Sequence, residues 1–429
     1  MATPGQVIGV GKLITPGGKQ GPKGDAGTAV PLADTTQNGL LRQISGKTTD
    51  FVDGTNHCQD LVSAIQLIRS RGYNAIGNPT FEVDQRVSGA TGNFSVSGAM
   101  NYYQCDRWRV NKTTATGAFT AQKQDFNGGA VRLPGTNFFI TNSILTLNVT
   151  TAQATLAAGE LVEIYQPVEG PMLRELVGDT HSISLLVSSS VALNFTVAVT
   201  DSTSVKSLVL PCSVPGGNIY TLITLPNLPV WPGGVTWNTS AGTIGYYLQI
   251  CLGAGSTYTT PVANTWQTGN FLTVAGASNW LANAGATFSF AFVQHEPGPT
   301  CGQLIDKPFA QNLDECQRYF QKSYDYATPV GTVTDASSVI CGVGAGLQTP
   351  YFWTPYRKSL ARVPTAVSGW SPRNYGTIPN TVANASSATN LSITGVQGNG
   401  TNGFGGFLVS GPPTTAWIAM WHWQADTGW

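Results

Sequence analysis

Hydrolysis of a polysaccharide needs two carboxyl groups facing one another across the scissile bond. This 429-residue chain has 22 acidic residues, mostly isolated, and no spacing among them nominates such a pair. Its four histidines, at positions 57, 181, 295 and 422, form no His-x-His, His-Glu-x-x-His or Cys/His pair at metal-ligand spacing. No Gly-x-Ser-x-Gly elbow and no Walker sequence occurs, and the Gly-x-G-x-x-G letters of 398–403 stand in a Gly/Asn loop. The expectation is therefore no catalytic residue, no metal and no cofactor. What remains is a set of aromatic rings in loop-like sequence: Trp231, Trp237, Tyr258 and Trp266, beside Asn238, Asn264 and Gln267. Such rings can stack on the apolar faces of sugars while the amides hydrogen-bond the hydroxyls, or they can pack together and plug one end of a sandwich. Trp353, Tyr356 and Trp370, with Arg357 nearby, are a second group of the same kind.

Composition limits the other functions. Basic and acidic residues balance at 22 each, so the chain lacks the cationic footprint that nucleic acid requires. No apolar run approaches the ~18 residues that span a bilayer, and the first residues lack a basic and then apolar leader, so neither membrane insertion nor secretion is expected. The seven cysteines are widely spaced without Cys-x-x-Cys and read as small buried hydrophobes. Fifty glycines and 25 prolines, with only 10% charged residues, are the composition of short strands joined by many turns.

The elements that must position these residues follow from periodicity. Strand-length runs recur at 94–96, 107–110, 143–149, 161–165, 182–187, 191–199, 246–252 and 287–293, with apolar residues at every second position in 191–199 and with Phe288, Phe290 and Phe292 on one face. Many short strands without intervening helices predict an all-β antiparallel sandwich, a jelly roll, with a core at Trp108, Phe195, Val197, Phe288, Phe290 and Phe292. The spacing of Leu313, Cys316, Phe320 and Tyr324 predicts a closing helix over 312–324, so this domain runs over 73–326. Further strands at 339–342, 392–396, 406–410 and 415–423 predict a small C-terminal β domain over 327–429, whose last strand carries bulk on both faces.

Upstream, glycines at 18, 21, 24 and 27 make collagen-like triplets within a Gly/Pro-rich segment, 1–55. Three triplets are either a flexible linker or a short three-chain staple. Asn56 and Gln59 form a capping pattern before a helix predicted to end at Gly72, with Cys58, Leu61, Ile65 and Ile68 at heptad spacing. That stripe seals either a trimer stem over 56–72 or the helix's own domain. The pairing of triplets with a heptad helix favours a homotrimer.

Several spaced motifs carry a resemblance. Asn78-Pro79-Thr80-Phe81-Glu82 looks like an opening strand, and Tyr103-Gln104-Cys105-Asp106-Arg107-Trp108 fits a Y-x-x-D-R-W pattern. Val293-Gln294-His295-Glu296-Pro297-Gly298, Pro308-Phe309 and Glu315-Cys316-Gln317-Arg318-Tyr319-Phe320 follow in order, and His422-Trp423-Gln424-Ala425-Asp426 closes the series. Together, over residues 75–429, they resemble bacteriophage fibre proteins built on a carbohydrate-binding-module-like jelly roll. The chain departs from that pattern at His295, where an apolar residue is expected, and at Thr427-Gly428-Trp429, in place of an acidic-aliphatic ending. The resemblance implies a virion surface protein, a tail fibre or a head fibre. Its partners would be two further copies of itself, other virion proteins held through residues 1–55, and host-surface polysaccharide bound without catalysis. A purely structural decoration of the capsid is the alternative, and a depolymerase a minor one. On physical grounds Asp106-Arg107-Trp108 reads as a buried Trp flanked by an ion pair, and Glu315 with Arg318 as a surface pair.

Overall fold

The computed structural model describes residues 50–52, 58–60, 73–86, 94–97, 100–114, 116–126, 129–302, 304, 307–348 and 352–429. The chain divides into two compact units, Met1–Ile65 and Gln66–Trp429. In the first, Asp50–Val52 pairs antiparallel with Cys58–Asp60. This corrects the expected helix at its start, because Cys58 lies in a strand where the first helical turn was placed. The β-forming Phe51 and Val52 supply a strand partner that local capping letters cannot reveal. The stem positions Leu61, Ile65 and Ile68, and the collagen-like triplets, lie outside the described residues.

The second unit opens with a two-sheet antiparallel sandwich. The front sheet runs, in spatial order, Trp266–Thr268, Lys206–Val214, Leu193–Asp201, Ile244–Ala254, Leu161–Glu169, Trp108–Lys112 and Met100–Cys105. The back sheet runs Thr221–Leu228, His181–Ser189, Thr287–Pro297, Ser143–Thr151, Ala118–Asp125 and Phe94–Ser97. The chain passes repeatedly from one sheet to the other, as in a jelly roll. Trp108, Phe195, Val197, Phe288 and Phe290 are buried between the sheets as the alternation predicts.

Phe292 departs from that expectation. A register shift sets Phe290 opposite Val187 but Phe292 opposite Leu186, so the strand gains one residue between them. The bulge turns Phe292 onto the outer face of the back sheet, where it packs with Leu186, Ile140 and Ile144.

The predicted helix over 312–324 is shorter and earlier, Phe309–Cys316, and Phe320–Lys322 forms a strand instead. That strand pairs with Gln424–Asp426 at the end of the chain, a long-range partner that overrides the local 3.6-residue pattern. The last strand, Trp417–Asp426, is the hub of the C-terminal sheet and pairs with Phe320–Lys322, Val339–Val343, Ala366–Trp370 and Thr381–Asn384. Trp417, Ala419, Trp421, Trp423 and Ala425 point into a second core with Tyr356, Phe404 and Phe407. On the opposite face His422 is fully buried, stacked 3.7 Å from Tyr324 and bonded to the Ser323 hydroxyl at 2.9 Å, whereas Ile418 stays exposed.

Candidate functional site

The expected aromatic site divides. Trp231, Trp237 and Trp266 do meet: Trp231 lies 4.8 Å from Trp237, 5.4 Å from Trp266, 5.2 Å from Tyr246 and 4.9 Å from His181, ring centre to ring centre. They pack on one another, Trp231 buried and Trp237 and Trp266 half-buried. Trp231 is only 9% exposed, and the indole N–H groups of Trp237 and Trp266 are spent on the carbonyls of Pro232 and Pro229. Beneath them a polar relay has one consistent set of donors. The Pro229 carbonyl can only accept, so His181 Nε2 donates to it (3.2 Å) and leaves Nδ1 bare for the Nε2 proton of His295 (2.8 Å). Tyr246 then donates its hydroxyl proton to His295 Nδ1 at 2.7 Å. Burial pushes His181 down to about 4 and His295 well below its usual range, in keeping with two neutral rings. His295, the departure from the motif series, thus locks the plug at one end of the sandwich.

The other expected residues are scattered around it. Tyr258 packs with Leu272 and Cys251, holding the loop 255–275 against the outer face of the front sheet. Asn264 is exposed at a φ of 60° and donates its backbone N–H to Val209. Gln267 sits on the edge strand opposite Ser207, and Asn238 reaches the Ser202 hydroxyl at 3.4 Å. In the second group, Trp353 is 53% exposed while Tyr356 is buried.

A different surface collects hydrogen-bonding groups beside the half-buried Tyr247 ring. Where the loop 255–275 leaves the front sheet uncovered, a groove of about 260 Å³ is lined by Asn111, Glu163, Tyr165, Ser202, Thr203, Ser204, Tyr247 and Gln249. Strand register builds its floor. Asn111 stands opposite Glu163, Arg109 opposite Tyr165, Tyr165 opposite Gln249, and Pro167 opposite Tyr247, so successive outward-facing positions of three strands form rungs. The alternate residues Trp108, Val110, Val162, Ile164, Leu248 and Ile250 face the core and fix which side chains point outward.

The groove's side chains are held in place. Tyr165 and Tyr247 meet edge to face at 5.9 Å, and Arg109 Nη1 donates to the Tyr165 hydroxyl oxygen at 3.1 Å while its guanidinium covers the Tyr103 ring. Thr200 donates to Gln249 Oε1 at 3.1 Å, which leaves the amide NH₂ of Gln249 for another acceptor. The wall 202–204 is tied down by Asp201, whose carboxylate accepts from the backbone N–H groups of Thr203, Val205 and Lys206 and from the Thr203 hydroxyl. Burial alone would raise the Asp201 carboxyl, but these donors outweigh it and hold it below the ordinary range.

Glu163 is the chemically unusual member. It is 3% exposed, Asn111 donates to its Oε1 at 2.8 Å, and Oε2 has no hydrogen-bond partner among the described residues. Burial lifts its pKa to about 7 against the opposing effect of that single hydrogen bond. A carboxyl so placed can donate as an acid or accept as a carboxylate near neutral pH. The sequence signal was present but unread: polar or aromatic residues at every second position of strands whose other positions are apolar. Which strands neighbour one another was not legible.

Two motif readings also change. Trp108 is fully buried and its indole N–H donates to the Asn78 carbonyl at 3.0 Å, but Asp106 pairs with Arg86 rather than Arg107. Glu315 pairs with Lys307, and Arg318 with Glu169, because the helix ends at Cys316 and Arg318 lies beyond it.

No protein-family model matches the chain, and no curated protein matches it in sequence. Among solved structures, a family 61 carbohydrate-binding module in complex with β-1,4-galactotriose aligns with 53% of this chain and 99% of its own, at 11% identity and a TM-score of 0.25. A family 11 module from Clostridium thermocellum, in complex with a β-1,3-1,4-mixed-linked tetrasaccharide, covers 48% of this chain and 98% of its own at 10% identity and a TM-score of 0.24. The enzymatically active domain of tailspike protein 4 of bacteriophage CBA120 aligns with 52% of this chain and 21% of its own, at 10% identity and a TM-score of 0.25. At TM-scores this low the likenesses carry no weight, and function rests on the chemistry of the groove.

Proposed function

We propose that this chain is a non-catalytic glycan-binding fibre protein of a bacteriophage virion surface, working as a homotrimer, and that sugars dock in the groove of the front sheet. One observation carries the reading: the half-buried Tyr247 ring, braced edge to face by the buried Tyr165, stands beside Asn111, Glu163 and Gln249 on one outward-facing floor. Rings for the apolar faces of a pyranose and amide or carboxyl groups for its hydroxyls are the requirements of sugar binding. Among the described residues Glu163 is the one carboxyl lining this groove, and cleavage by the usual route takes two, which supports binding without chemistry. The motif series supports a virion location.

The test is calorimetric titration with purified host-surface polysaccharide. Tyr247→Ala should weaken binding about tenfold, the equivalent of roughly 1.4 kcal/mol for one lost ring contact. Trp237→Ala should leave affinity unchanged and lower the unfolding temperature, since its ring belongs to the plug. Loss of binding in Trp237→Ala with Tyr247→Ala unaffected would return the site to the aromatic cluster. Release of reducing ends from the same polysaccharide would replace adhesion by depolymerisation. Antibody labelling of intact particles decides between a tail and a head position.

A further inference from the structure

A second, more enclosed cavity of about 170 Å³ lies away from the groove and shares no lining residue with it. It forms where residues 74–77, the end of strand Leu161–Glu169, the helix Phe309–Cys316 and Lys358 come together. Four cations line it: Arg107, Lys307, Arg318 and Lys358. Three of them already have a carboxylate. Arg318 grips Glu169 through two hydrogen bonds of 2.7 and 2.9 Å, Lys307 holds Glu315 at 2.8 Å, and Lys358 pairs with Asp314. Glu169 has nothing left to offer, since Tyr319 donates to it at 2.7 Å and the Gly242 N–H at 2.8 Å.

Arg107 is the exception. It is 3% exposed, held at the turn between Met100–Cys105 and Trp108–Lys112, and among the described residues it makes no ion pair. Its Nη2 donates to the Pro167 carbonyl and its guanidinium lies 3.6 Å over the Tyr319 ring, but Nη1 is buried without an acceptor among the described residues. The neighbouring carboxylate, Asp106, is spent on Arg86 and Gln85. A buried guanidinium with neither counter-charge nor full hydrogen bonding is costly to fold unless something completes it.

We infer that this cavity binds a small oxyanion, a carboxylate or phosphate group, with Arg107 as its buried anchor and Lys307, Arg318 and Lys358 at its mouth. An oxyanion supplies what Arg107 lacks, a negative charge and an acceptor for Nη1, and the planar guanidinium matches both anion geometries. The remaining wall, with Ala75, Ile76, Met172 and Cys316, offers apolar contact to a carbon skeleton. Acidic sugars and free phosphate both bear the required group, and the two are separated experimentally.

The full chain is titrated by calorimetry with sodium galacturonate, inorganic phosphate and neutral galactose, with chloride holding ionic strength constant. Saturable binding of galacturonate or phosphate, absent with galactose, is expected, and whichever anion binds identifies the source. Arg107→Gln should abolish it. Because a buried substitution can fail to fold, Lys307→Gln at the mouth serves as the second variant and should weaken binding roughly fivefold while keeping the wild-type unfolding transition. Heats indistinguishable from chloride for both anions, or anion binding unaltered in Lys307→Gln and in folded Arg107→Gln, would overturn the inference.

Discussion

Glu163 concentrates the consequences that single residues hold in this protein. Its carboxyl has a pKa of about 7 in the fold against an ordinary 4.5, because burial penalises the charged form. The neutral acid is therefore the form the fold favours. Its contribution is fully present below pH 4.5 and is lost as the pH rises through 7, by about 3 kcal/mol for a shift of this size. Glu163→Gln keeps the shape and the Asn111 contact while removing the titration. Its unfolding free energy, measured by urea denaturation at pH 5 and pH 8, should exceed the wild type at pH 8 and approach it at pH 5. Equal pH dependence in the two proteins would mean that Glu163 is ionised and solvated. None of this was readable from the letters, because Glu163 looks like any isolated acid until three strands close around it.

Elements were more legible than sites. Strand-length runs between turn residues located most strands of the sandwich, and alternation marked the buried face of some, since a half-buried sheet writes its burial into every second residue. It failed where two levels of structure compete. Phe292 kept the sequence period but lost the face, because a bulge is set by pairing across to Leu186. The stretch 320–322 kept a helical period but became a strand, because the partner lies a hundred residues away at 424–426. The rungs of the groove were hidden for the same reason, as strand neighbours are not strand successors. One element depends on a single glycine. A Cβ at Gly255 would sit 1.9 Å from the Ala157 carbonyl oxygen and 2.6 Å from that of Ala158, both backbone atoms that cannot swing aside. Gly255 opens the loop whose Tyr258 and Leu272 cover Cys251 on the front sheet. Gly255→Ala should cost about 2–3 kcal/mol and expose the loop to protease near 255–275. A wild-type unfolding midpoint with no new cleavage would show that the 157–158 turn yields freely.

At the scale of the molecule, the proposed sugar groove would give each chain one modest binding surface, since a few rings and amides bind sugars weakly. A homotrimer would turn that weakness into firm attachment, because once one groove is filled the next two bind at high local concentration. The triplets at 18–27 and the heptad positions Leu61, Ile65 and Ile68 are the residues expected to hold three copies together, although Cys58 lies in a strand rather than in that stem. Deletion of residues 1–72 separates the two contributions, since every groove residue lies downstream. Light scattering should give a trimer for the full chain and a monomer for the deletion. Affinity for a short soluble oligosaccharide should be the same for both, whereas retention on polysaccharide-coated surfaces should fall a hundredfold or more for the deletion. A deletion that remains trimeric would move the interface into the β domains, and a monomer that is retained as well as the full chain would mean that one groove suffices.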